Sequence, residues 1–353
     1  MSTHASAASA DVEHIRSMVT GFARTQELYV AVSLRIPEML VDGPRSATAL
    51  ATECRAHATS LHRLLRKLAV HQVLFEESNG DFRLLPAGHL LRRDDPNGLA
   101  SLVLWLGDVN YRAQAGLLRA VQTGQTAFDQ IFGESLFSYL ERHPETSAHF
   151  QELMQSGIAD RLPAILSAFD FSSSRSIVDV GGGTGLMLSA ILDSAPHAHG
   201  AVFDAPHLAT DATVRFQSRG LASRAEFVPG DFFSDSVPVG ADVYVLSNIL
   251  HDWDDARAEQ VLRNIRTAMH PQSAVLVIQE LVPNSVLEAP SVAGSDLSML
   301  VLTGGRERTE REYQDLLERA RLKITTIMPI ASTQHFLGRA QRWAILVGRA
   351  VPR

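Results

Sequence analysis

Ser176 to Gly185 reads SIVDVGGGTG, an apolar run and an aspartate followed by four glycines in five positions. No other stretch constrains the fold as much, because each glycine costs roughly 0.5–1 kcal/mol of chain entropy and survives only where geometry requires it. Ile177, Val178 and Val180 suit a strand buried in a parallel sheet, and LMLSAILDSAP, directly after the glycines, starts a helix. A strand, a glycine turn and a helix N-terminus in this order direct backbone N–H groups at one point, where a ligand can be held.

From residue 176 onward, strands and helices alternate. SIVDV, GAVFD, AEFVPGD, ADVYVLSN, AVLVIQE, KITTIMPI and WAILVGRA read as strands, with helical segments between the first five. That pattern predicts an α/β fold, a Rossmann-like, doubly wound, mostly parallel sheet of seven strands. Ligands of such sheets bind beyond the carboxyl ends of the strands. Asp179, Asp204, Asp231, Ser247, Asn248 and His251 all fall there. Asp204 follows the glycines by about 20 residues, where an acidic group accepts the paired hydroxyls of a ribose. A dinucleotide is excluded, since the third glycine of G-x-G-x-x-G would fall on Leu186 or Leu188. No Lys-Ser/Thr of a phosphate loop follows the turn either. Asp231 can take an adenine amino group but would repel phosphates, so the expected ligand is a nucleoside without pyrophosphate, such as S-adenosyl-methionine.

The first half of the chain is organised differently. Residues 11–41 carry helical periodicity, and 46–91 read helix, turn, helix and a hairpin turning at Ser78-Asn79-Gly80, a winged-helix pattern. His62, Arg63, Arg66 and Lys67 on its second helix raise the question of DNA reading. A formal net charge of −7 and a wing bearing Glu76, Glu77 and Asp81 rather than basic groups favour a structural role. Ile15, Met18, Val19, Phe22, Leu28, Val30, Leu34 and Ile36 crowd one short segment, which predicts a homodimer through residues 1–100. The middle region, 101–171, is helical and rich in large apolar groups, among them Trp105, Phe150 and Met154, which with Asn248 are candidates to wall a pocket for a flat substrate. The polar cluster at residues 172–175 marks the start of the catalytic domain, 172–353. A lone cysteine, Cys54, excludes a disulfide framework and a multi-cysteine zinc site. The absence of a long apolar run or a signal peptide predicts a cytoplasmic protein with neither membrane nor nucleic-acid partners.

VDVGGGTG, FDAPHL, GDFF, NILHDWDD and GGRERTEREY, in this order and spacing, resemble the S-adenosyl-methionine-dependent O-methyltransferases of the caffeic acid and acetylserotonin type, including bacterial natural-product tailoring enzymes. The resemblance covers nearly the whole chain. It implies an intertwined homodimer built by the N-terminal region and metal-independent methyl transfer to an aromatic or polyketide-like hydroxyl. By the same resemblance Gly181, Gly182 and Gly183 face the cofactor, with Asp179 and Ser247 beside them, Asp204 faces the ribose, and Asp231 and Phe232 face the adenine. His251 becomes the general base, Glu307 its partner, and Asp252 a possible orienting group. The chemistry is consistent with that role, because an imidazole placed beside a phenol of pKa near 10 makes it a usable nucleophile at neutral pH.

Two positions depart from the family pattern. Gln279 stands where many members have a glutamate, and Glu280, the next residue, points to the opposite face unless the strand is bulged. Ser247 stands where plant members have a lysine. These departures motivate an alternative in which the same fold and cofactor serve N-methylation, hydroxylation or decarboxylation. A winged-helix DNA-binding protein with a vestigial site is the remaining alternative.

Overall fold

A computed structural model describes residues 2–95, 98–330, 335–336 and 339–351, and side-chain surroundings for residues 10–95, 98–330 and 341–351. The chain divides into two compact units, one of residues 1–112 with 148–153 and the other of residues 113–147 with 154–353. The middle region is thus shared between them.

In the first unit, helices Ser2–Val19 and Gly21–Ser33 precede the helix pair Ala47–Glu53 and Ala58–Val70. The hairpin Leu74–Glu76 and Asp81–Leu84 follows, and the short strand Arg45–Ser46 pairs with its second arm. Leu61, Leu65 and Leu68, spaced by three and four, turn inward against Leu50 and Phe82. The basic residues of the second helix are partly neutralised by the wing, because Glu76 lies 3.5 Å from Arg66 and 3.9 Å from His62. The wing does carry one cation, Arg83, which the reading of an acidic wing passed over; its Nε donates to Glu77 at 2.7 Å.

The crowded apolar segment splits in two. Ile15, Met18, Val19 and Phe22 are each more than half exposed, whereas Ile36 is buried and Leu28 and Leu34 pack against the unit's own core. Sequence spacing could not separate these groups, because both follow helical periodicity. Among the described residues no helix is long and apolar enough to cross a membrane.

The second unit is built on a seven-stranded sheet. Its strands are β1 (Ser176–Val180), β2 (His199–Asp204), β3 (Ala225–Pro229), β4 (Val243–Ser247), β5 (Ala274–Glu280), β6 (Leu322–Ile330) and β7 (Trp343–Ala350). The spatial order is β3-β2-β1-β4-β5-β7-β6, with β1 to β5 parallel and β7 antiparallel to both of its neighbours. Helices cover both faces. Val178, Tyr244, Leu246, Val275 and Val277 pack under helices Asp255–Ala268 and Glu310–Arg319, while Ile177, Val202, Val245, Leu276 and Ile278 pack under Leu186–Ser194 and the end of Pro144–Ala168. Covering both faces explains why these strands are apolar at consecutive positions rather than at alternate ones. Two strands stop short of their expected ends. β3 stops at Pro229, and β4 stops at Ser247 because Asn248 takes a left-handed conformation at φ 58°.

Candidate active site

The glycine turn accommodates the protein's own side chains as well as facing outward. A β-carbon on Gly182 would come within 2.5 Å of Asp179 Oδ2, and one on Gly181, at φ +69°, within 2.3 Å of Ile249. Asp179 therefore lies beneath the turn, 1% exposed, and burial together with the neighbouring Asp204 pushes its carboxyl up to about 7. Asp204, at the end of β2, accepts from the Gly183 N–H at 2.7 Å and the Ala205 N–H at 2.6 Å. Burial raises its pKa, and these two N–H groups pull it back. Asp231 is exposed and spends part of its accepting capacity on the Phe233 N–H at 2.9 Å and the Ser234 hydroxyl at 3.0 Å. Phe232 beside it is half-buried and meets Phe233 edge-on at 4.8 Å.

At the carboxyl ends of β1 and β4, Asp179 Oδ2, Ser247 Oγ and Asn248 Oδ1 are buried with no hydrogen-bond partner. Buried polar atoms of this kind are costly unless something else satisfies them. A polar ligand carrying an amine and hydroxyls, which is the character of S-adenosyl-methionine, fits that requirement.

His251 sits in a single 3-10 turn, Leu250–Asp252, after β4. Its Nδ1 lies 2.8 Å from Glu307 Oε1, which also accepts from the Ser295 hydroxyl at 2.5 Å. Burial alone would depress the imidazole's pKa, but Glu307 and then Asp252 outweigh it and push it up to about 9. Glu307 is held below the usual carboxylate range, because His251 and Ser295 more than offset its burial. Asp252 lies 3.9 Å from Nε2, outside hydrogen-bonding distance, so the imidazole is oriented by Glu307. Asp254 caps the following helix through the Arg257 N–H at 2.8 Å, as its place before DARAEQVL predicts.

The loop around His251 is clamped from a distant part of the chain. Arg308 is fully buried, and its guanidinium donates to the Leu250 and Trp253 carbonyls at 2.8 Å each and to Asp255 at 2.9 and 3.0 Å. Gly305 packs so tightly against the same backbone that a β-carbon there would lie 2.0 Å from the His251 carbonyl oxygen. Gln279, at zero exposure on β5, faces this loop with an oxygen placed to accept the Asn248 and Ile249 N–H groups, each at 3.1 Å. The β5 register with β7 runs unbroken from Ala274 to Glu280, so no bulge swaps Gln279 for Glu280. Glu280 faces the other way and accepts from the Ser291 hydroxyl at 2.5 Å.

Trp105 and Phe150 belong to the first unit, where their rings lie 5.0 Å apart, whereas Met154 and Asn248 belong to the second. Sequence reasoning missed Arg308 and Ser295. Arg308 could have been found from its place between Glu307 and Thr309 in GGRERT, but an arginine among charged residues normally marks a solvated surface. We expect Asp204→Ala to weaken binding of S-adenosyl-homocysteine more than tenfold, since a charged acceptor is worth roughly 1.5–3 kcal/mol. An unchanged affinity in a calorimetric titration would remove Asp204 from the cofactor site.

A doubly wound sheet with a glycine turn after β1 and an acid at the end of β2 has the form of a nucleoside-binding domain, and comparison with known proteins gives the class of enzyme. Residues 115–323 match the O-methyltransferase domain and residues 17–93 the O-methyltransferase dimerisation domain. A phenazine O-methyltransferase of Lysobacter antibioticus is 40% identical over 316 residues, covering 89% of this chain and 92% of that protein. The solved mitomycin 7-O-methyltransferase superposes with a TM-score of 0.91 at 34% identity, covering 98% of this chain and 100% of that one. An O-methyltransferase from neocarzinostatin biosynthesis, solved with S-adenosylmethionine and 2-hydroxy-5-methyl naphthoic acid, superposes at 0.83 with 33% identity, covering 93% and 96%. The chain belongs to this family of S-adenosyl-methionine-dependent O-methyltransferases.

Proposed function

We propose that the protein methylates a phenolic hydroxyl of an aromatic natural product, with His251 as the base that receives the hydroxyl proton. The observation that carries this reading is the His251–Glu307 pair, 2.8 Å apart and both largely buried. Nδ1 is committed to Glu307, which leaves Nε2 for an acceptor hydroxyl. An ordinary imidazole is about 3.5 pKa units weaker as a base than a phenolate. At about 9, His251 comes within about one unit of the phenol, so proton transfer in the transition state is nearly balanced. When bound, S-adenosyl-methionine supplies the activated methyl group and a positive charge that favours the neutral imidazole. The chain's own part is to hold Nε2 in place through Glu307, Arg308 and Gln279, and to keep water from the pair by burying it. Incubation with methyl-labelled cofactor and a panel of phenols, read by mass spectrometry, tests the reading. Label on nitrogen or carbon, or none, would overturn it.

The first unit supports a homodimer. Val12, Ile15, Met18, Val19 and Phe22 are 50–66% exposed on two successive helices within or next to the match to the family's dimerisation domain. Light scattering at micromolar concentration should give about twice the 38.5 kDa chain mass, and Phe22→Asp with Met18→Asp should halve it. A wild-type monomer would refute the assignment. The ion pairs of Glu76 with the second helix, and the acidic net charge, favour this assembly role over DNA reading.

A further inference from the structure

The run from Gly181 to Gly185 contains a single residue with a side chain, Thr184, which is 5% exposed. Gly183 and Gly185 on either side of it are both left-handed, at φ 58° and 79°. Glycines lose more conformational freedom on ordering than any other residue, so such a run keeps one shape only if it is held from outside. Its first half is held by β2, because the Gly181 N–H donates to the Phe203 carbonyl at 2.9 Å and the Gly183 N–H to Asp204. The second half is held by the helix Ala209–Ser218. Phe216 lies so close beneath Gly185 that a β-carbon there would meet its ring at 2.6 Å. Arg215, the residue before it, donates from Nε to the Thr184 carbonyl at 3.0 Å, and its Nη2 lies 3.5 Å from the Thr184 hydroxyl.

The same guanidinium reaches a second element. Its Nη2 also donates to Gln155 Oε1, on the helix Pro144–Ala168. Gln155 and Arg215 both belong to the second unit. That helix is a firm anchor, since Ile165 is fully buried and Ile158 and Leu162 pack against the same core as Ile177 and Val202 of the sheet. The three acceptors of Arg215 are a carbonyl, a hydroxyl and an amide, all neutral, so the contacts serve geometry rather than neutralisation. A planar fork that donates along two fixed directions can join two elements in this way, whereas a flexible ammonium cannot.

We infer that Arg215 is a positioning residue for the cofactor: it braces the glycine turn against the helix Pro144–Ala168, so that the turn has its ligand-holding shape before S-adenosyl-methionine arrives. The residue lies outside all five sequence motifs, between FDAPHL and GDFF. Its role is independent of the acceptor and of His251, and rests only on the fit of the cofactor to the turn. Binding to a loop that must first be ordered is weakened by the cost of ordering it, and a brace present beforehand removes that cost. Losing the brace therefore lowers cofactor affinity and loosens the turn while the sheet beneath stays as it was.

The test titrates S-adenosyl-homocysteine into the full-length protein by calorimetry and follows hydrogen–deuterium exchange, free and bound, by mass spectrometry. Arg215→Met should weaken binding about tenfold and speed exchange in peptides covering residues 181–185, with β4 and β5 as protected as in wild type. Gln155→Met leaves the arginine and its charge in place but removes the anchor, and should weaken binding about threefold. Adding it to Arg215→Met should change little more, because the two residues act as one unit. Arg215→Lys keeps the charge but cannot span Thr184 and Gln155, and should recover only part of the affinity. Affinity within about twofold of wild type in a folded Arg215→Met protein would overturn the proposal. Full recovery by lysine with no effect of Gln155→Met would overturn it too, since charge alone would then be the cause. So would faster exchange throughout the sheet, which would make the arginine a general stabiliser. If S-adenosyl-homocysteine binds wild type without slowing exchange in the turn, the cofactor lies elsewhere and the proposal falls with that placing. The role of His251 in the acceptor reaction is untouched by any of these outcomes.

Discussion

His251→Ala should turn over a phenolic acceptor about 10²–10⁴-fold more slowly than wild type at pH 7, with affinity for S-adenosyl-homocysteine nearly unchanged. The two measurements separate if, as proposed, the imidazole acts on the acceptor hydroxyl and Asp204 on the nucleoside. The pH profile carries the sharper information. Glu307 holds the imidazole protonated up to about 9, so in the free enzyme only about 1% is in the basic form at pH 7, and kcat/KM should climb through that region. Glu307→Gln removes the carboxylate that raises the pKa, and the ascending limb should move to lower pH while its plateau falls. In His251→Ala the limb should follow the acceptor's own ionisation instead, with the defect shrinking as the phenolate forms unaided. A variant as fast as wild type at pH 7 would show that proximity alone drives the transfer and would return His251 to a structural role.

Arg308→Ala should cost about 3 kcal/mol of stability, the largest effect expected from a residue that touches no ligand. Its loss leaves the Leu250 and Trp253 carbonyls without their donor and opens a side-chain-sized space in a fully buried position. In a domain of this size that corresponds to roughly 6–12 °C in Tm, readable by circular dichroism. The 3-10 turn carrying His251 lies between those two carbonyls, so turnover should also fall in the variant at temperatures where it remains folded. Arg308→Lys can satisfy one carbonyl but cannot span both with the carboxylate, and should lie between. A variant as stable as wild type would mean that the Gly305 contact and Gln279 alone define the loop.

The sheet could be read from the chain because both of its faces are covered, which leaves runs such as VYVL and AVLVI with no polar interruption. Asp204 could be read for a related reason, since the end of the second strand lies at a nearly fixed distance from a glycine turn in this topology. The His251–Glu307 pair is of another kind. His251 and Glu307 are 56 residues apart and meet only because two loops fold over the same strand ends, so family resemblance rather than periodicity brought them together. Arg308 and Arg215 were hidden by the ordinary expectation that arginine is solvated, and nothing local distinguishes them from Arg306 or Arg311. Ile36 misled in the opposite direction. It shares the spacing of Ile15 and Phe22, and only the three-dimensional packing shows that it faces inward.

The strand order has a consequence for how the protein is made. β7, the last of the seven strands to leave a ribosome, occupies an interior position and pairs with β5 from Trp343 to Arg349 and with β6 from Trp343 to Ala350. While the 20 residues after Ile330 are being synthesised, β5 and β6 are complete but lack the neighbour they share. At about 5–20 residues per second that interval lasts on the order of 1–4 s, plus the time needed to clear the exit tunnel. Every residue of β5 is buried in the finished sheet, so its open edge during that interval is an apolar template for any passing strand. The nascent chain's exposure to misassembly is therefore concentrated in the interval between completion of β6 and completion of β7.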